Sequence, residues 1–85
     1  MNEINNLKKK IKFRSEYRGT KEMELILGNF IKKYLDIFST EDLNNLYKIL
    51  NISDEDLTKW YLKKEGCIKL PNNNVTKLLK NFKIN

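Results

Sequence analysis

The sequence predicts an all-α fold, a compact bundle of about five short helices, and three observations lead there. Apolar residues recur at spacings of three and four in five separate stretches, the period of a helix that buries one face. No stretch sustains the apolar–polar alternation of a half-buried strand. The breaks between stretches are short and carry helix-start and helix-stop residues, so consecutive helices are expected to be near neighbours. A chain of 85 residues makes one domain, 1–85, with no linker and no internal repeat. A domain this small buries roughly 60–65% of its unfolded surface, which allows one modest core and little room for a deep pocket.

The first helix is expected from about Glu3 to Tyr17, with Ile4, Leu7 and Ile11 on one face, and Arg18-Gly19-Thr20 interrupts it. The second runs from about Lys21 to Ile37. Met23, Ile26, Leu27, Phe30, Tyr34 and Ile37 form its stripe, widened by Leu25, Ile31 and Leu35. A helix so apolar is expected to be central, with neighbours on more than one side. Gly28 lies inside it at a cost of about 1 kcal/mol relative to alanine, and close approach of another helix is the expected reason. Ser39 suits the N-cap of the third helix, which carries Leu43, Leu46, Tyr47 and Leu50. Ser53 suits the N-cap of a short fourth helix with Leu57, Trp60 and Tyr61, and Asp54, Glu55 and Asp56 complement its positive pole. Gly66 is the expected residue after its C-cap. Residues 67–74 read as a loop, and the last helix, near Asn74 to Ile84, buries Val75, Leu78, Leu79 and Phe82.

Composition excludes several chemistries. Histidine is absent and Cys67 is the sole cysteine, so zinc sites of the Cys/His kind, Ser–His and Cys–His nucleophiles and intramolecular disulfides are ruled out. The three glycines stand far apart, so there is no phosphate-binding loop. Asp54, Glu55 and Asp56 are better explained as a capped helix start than as a cation site, and Cys67 as an ordinary thiol despite Lys63, Lys64 and Lys69 nearby. No apolar run approaches the roughly 20 residues that span a bilayer, and residues 1–12 lack the pattern of a secretory signal. The bacterial cytoplasm is the expected compartment, without stable membrane insertion. The net charge of +6 divides into +4 over residues 1–20, −1 over 21–50 and +3 over 51–85. Basic ends suit an acidic partner or nucleic acid, but abundant solvated lysines that need no ligand are the simpler account.

The local feature that stands out is Arg18-Gly19-Thr20-Lys21-Glu22. Gly19 suits a sharp turn between two helices; with Gly19 as N-cap, Glu22 falls at the third helical position, where a carboxylate is favoured. A helix start with a charged first turn accounts for the segment on spacing alone. The functional reading puts Arg18 and Glu22 at an exposed corner in contact with a partner.

The stretch FRSEYRGTKEMELILGNF, residues 13–30, resembles the signature of the SdhE family, also called succinate dehydrogenase assembly factor 2. That family carries an RGxxE motif between its first two helices, here Arg18, Gly19 and Glu22, with an acidic residue two places on, here Glu24. LDIFSTEDLNNLYKIL (35–50) is similar to the start of the family's third helix. SDEDLTKWYLKKEG (53–66) is similar to its D-x-D-L-x-x-W segment, through Asp54, Asp56, Leu57 and Trp60. The likeness covers about residues 10–66. Where the family often has a further arginine before the motif, this chain has Tyr17 preceded by Glu16, and Glu24 stands where aspartate is common.

The resemblance implies a five-helix protein without cofactors, and no enzyme. It implies binding to the flavoprotein subunit of succinate dehydrogenase, in some bacteria also to that of fumarate reductase, and assistance to the covalent bond between a flavoprotein histidine and the 8α carbon of FAD. In that scheme Arg18 and Glu22 are contact residues, Gly19 allows close approach, and Glu24 and Arg14 are further contact candidates, with Trp60, Phe30 and Tyr34 in the core. The alternatives are a small nucleic-acid-binding module using Lys8, Lys9, Lys10, Lys12 and Arg14, or a generic helical adaptor. The first of these requires steep salt dependence, yet only Phe13 interleaves with those lysines, and no nucleic acid is expected as partner.

Overall fold

The computed structural model describes residues 2–16 and 18–83, and five helices account for most of them: α1 (Asn2–Glu16), α2 (Lys21–Tyr34), α3 (Thr40–Leu50), α4 (Asp54–Tyr61) and α5 (Asn74–Lys80). Among the described residues there is no strand. Tyr17 and Ile84, the expected ends of the first and last helices, lie outside the described residues. α1 packs against both α2 and α3, and α5 packs against α3.

α2, α3, α4 and α5 each start where a side-chain oxygen takes an orphan amide. The Ser39 hydroxyl accepts from the Asp42 amide at 3.1 Å and that of Ser53 from the Asp56 amide at 3.2 Å, as their placement predicts. α5 opens with a reciprocal box: the Asn73 side chain accepts from the Thr76 amide and the Thr76 hydroxyl from the Asn73 amide, both at 2.9 Å. The end of α4 departs from expectation. Leu62 is the C-cap, and the left-handed residue after it is Lys63, with φ 58°. The Lys63 amide donates to the Trp60 carbonyl and that of Lys64 to the Lys59 carbonyl, a Schellman pair. Gly66, φ 77°, serves the following turn instead.

The core gathers one face from every helix: Ile11, Met23, Leu27, Phe30, Leu43, Leu46, Leu50, Leu57, Trp60, Val75 and Leu79 are all buried. α2 ends at Tyr34, and the chain turns through 35–38. Ile37 therefore leaves the predicted stripe and is 72% exposed, while Phe38 turns inward. Leu25 is 51% exposed, so α2 keeps one side open and is less enclosed than its composition predicts. Gly28 faces that open side. A Cβ built on it would meet nothing within 4 Å, so no neighbouring helix explains this glycine. Among the described residues no helix is long and apolar enough to cross a membrane.

Candidate functional site

The corner between α1 and α2 is wired to the turn between α3 and α4. Arg18 does not stand exposed as the sequence suggested; its side chain is only 7% exposed. Its Nε donates to Asp54 Oδ1 at 2.7 Å, and its Nη2 lies 2.6 Å from the same oxygen. Nη1 donates to the Leu50 carbonyl at 2.7 Å and, at 3.4 Å, to that of Arg14; Nη2 also donates to the Ile52 carbonyl at 3.0 Å. Leu50 is the last residue of α3, and Arg14 lies in the last turn of α1. The guanidinium thus sits at the carbonyl-rich, negative poles of two helices and satisfies oxygens that no helix amide reaches. Asp54, the first residue of α4, supplies the counter-charge from that helix's positive pole.

The other oxygen of the same carboxylate takes the Thr20 amide, at 2.9 Å from Oδ2. Thr20, not Gly19, is the N-cap of α2: its hydroxyl accepts from the Met23 amide at 3.2 Å. Glycine has no side chain to do this, so the cap moves one residue on, and Glu22 occupies the second helical position rather than the third. Gly19 lies between the two tethers and does not adopt a left-handed backbone. A Cβ there would meet Asp54 Oδ2 at 3.4 Å, an ordinary contact. Nothing within the chain therefore demands glycine at 19.

The remaining site candidates face outward. Glu22 is exposed and borders a shallow depression with Leu25, Ile26, Tyr61 and Lys83. Glu24 is half-buried and lines a groove between α1 and α2 with Ser15, Leu25 and Gly28. Among the described residues neither glutamate forms an ion pair. Arg14 is exposed, with its guanidinium 5.7 Å from the centre of the Tyr47 ring on α3, a cation–π contact. Gly19 and Glu22 thus lie at the start of α2, Glu24 faces the α1–α2 groove, Arg14 lies on the α3 side of α1, and Arg18 is turned inward. Asp54 was legible as a helix-start residue and as part of the D-x-D-L-x-x-W segment, but not as the partner of Arg18. Its pairing with Arg18 spans 36 positions, and no local pattern announces it.

The family model described as "Flavinator of succinate dehydrogenase" matches residues 9–83. The chain belongs to that family. Among flavinator relatives, the FAD assembly factor SdhE of Acetobacter pasteurianus is 32% identical over 73 residues, covering 86% of this chain and 64% of the relative. The mitochondrial succinate dehydrogenase assembly factor 2 of Debaryomyces hansenii is 37% identical over 71 residues, 79% of this chain and 50% of its own length. That of Dictyostelium discoideum is 31% identical over 80 residues, 94% of this chain and 55% of its own. The chain spans between half and two thirds of the length of these relatives. No solved structure matches it.

Proposed function

We propose that this flavinator-family chain binds the flavoprotein subunit of succinate dehydrogenase and promotes covalent attachment of FAD to it. The observation that carries the reading is the α1–α2 corner, where exposed Glu22 borders the same depression as exposed Leu25 and where Arg18 and Thr20, on either side of exposed Gly19, are bonded to Asp54 at the start of α4. A protruding apolar residue with unpaired carboxylates beside it suits a client surface that offers an apolar seat rimmed by cations. Glu22 takes a cationic group of the client through charge-assisted hydrogen bonds. Glu24 and Arg14 flank that contact, and Gly19 lets the client backbone come close. The chain supplies no catalytic group. Binding favours the client conformer in which histidine and flavin are apposed, and the bond-forming chemistry belongs to the client and its flavin.

The test expresses the cognate flavoprotein with and without this chain and reads covalent flavin as in-gel fluorescence after denaturation. Wild type raises the signal, and Glu22→Ala lowers the gain by about tenfold. Gly19→Ala, whose Cβ fits within the chain, keeps its helicity, and Gly19→Arg abolishes the gain with helicity retained. No rise with wild type, in an assay where the Acetobacter pasteurianus relative is active, sinks the function. Loss of helicity in Gly19→Arg returns Gly19 to a purely structural role.

A further inference from the structure

We propose that Asp54 is a positioning residue for the client-binding corner, and that Arg18 acts through Asp54 inside the protein rather than by touching the client. The inference rests on the flavoprotein-binding reading. One carboxylate grips the chain on both sides of Gly19. Oδ1 holds the Arg18 guanidinium and Oδ2 holds the Thr20 amide. Two tethers from one carboxylate, on the residues at either side, limit the freedom of the intervening glycine, and because Thr20 caps α2, they also fix where that helix begins. Glu22 lies two residues past the cap, so its direction follows from Asp54.

The burial of the pair agrees. Side chains 7% and 11% exposed leave Arg18 little surface to offer a partner, and its Nη1 and Nη2 are already spent on carbonyls. The fold has a separate source of cohesion in the core shared by all five helices. Weakening the tether therefore loosens the corner while the bundle stays assembled. Asp54→Asn is the apt probe. The amide keeps one acceptor oxygen but presents an NH2 group to the second donor, so one tether survives and the other is lost.

The experiment is a double-mutant cycle of Asp54→Asn and Arg18→Gln in the full chain, with affinity for the purified flavoprotein as one readout. Amide hydrogen exchange at Thr20, and at Leu27 and Leu46 in the core, is the other. Each single substitution is expected to weaken client binding about tenfold, and the double no more than either alone. Thr20 exchange in Asp54→Asn accelerates about tenfold beyond the change at Leu27 and Leu46, whose protection falls only with the global stability. Asp54→Glu, which restores the carboxylate on a longer arm, recovers part of the affinity. A double variant whose losses multiply shows Arg18 meeting the client directly and overturns the proposal. So does Asp54→Asn with wild-type affinity, or with Thr20 exchange accelerated no more than that of Leu27 and Leu46. If wild type itself does not bind the flavoprotein, the functional reading fails first, a result distinct from binding that is indifferent to Asp54.

Discussion

At the start of α2 the chain is fixed by directed bonds; at its finish it is fixed by packed rings. The Arg18–Asp54–Thr20 junction spends a buried ion pair and several hydrogen bonds on three consecutive residues. At the other end Phe30 packs against Tyr34, Phe38 and Phe82 with ring centroids 4.8, 6.0 and 5.3 Å apart, and Tyr34 stacks on Phe38 at 5.2 Å. Ring packing is broad and forgiving of small shifts, so it suits cohesion. Hydrogen bonds fail beyond a few tenths of an ångström, so they suit placement. The end of α2 that carries the candidate contact residues is the end held by the exacting interaction.

The comparison can be broken most forcefully at the ring end. Phe30 is fully buried, and Phe30→Ala is expected to cost about 3–5 kcal/mol, read as a lower urea midpoint; a cost below about 1 kcal/mol would show that the rings do not anchor the helix. At the polar end, Asp54→Asn is expected to cost about 1.5–3 kcal/mol, less than the ring deletion because Arg18 keeps its carbonyl partners. Between the ends, Gly28→Ala is expected to stabilise the protein by about 1 kcal/mol, since its Cβ enters open space. A raised melting temperature combined with weaker client binding would mark the α1–α2 groove as part of the interface. The smallest effect belongs to Lys8→Ala. Its pair with Asp36, at 3.2 Å and with the aspartate 90% exposed, is expected to change stability by no more than about 0.5 kcal/mol. A larger value would blur the contrast between buried and exposed pairs.

What the sequence disclosed follows the same division. Helical stripes and serine caps are local: Ser39 and Ser53 each meet an amide three residues on, so spacing alone places them. The RGxxE segment and its acidic neighbour were legible as a motif, but the inward turn of Arg18 was not, because its partners at 50, 52 and 54 become neighbours only when α1 folds across α3. Ile37 was misassigned because periodicity does not tell where a helix unwinds. Gly28 was misassigned because an apolar helix does not disclose which of its sides is left uncovered.

Trp60 is the sole tryptophan of the chain, lies on α4 and is 7% exposed. The helix that Asp54 opens therefore carries its own chromophore. Water reaching the excited indole lowers the energy of its emission, so any loosening of α4 registers as a red shift without an attached label. That colour change gives the corner an intrinsic optical gauge six residues from the carboxylate that sets it.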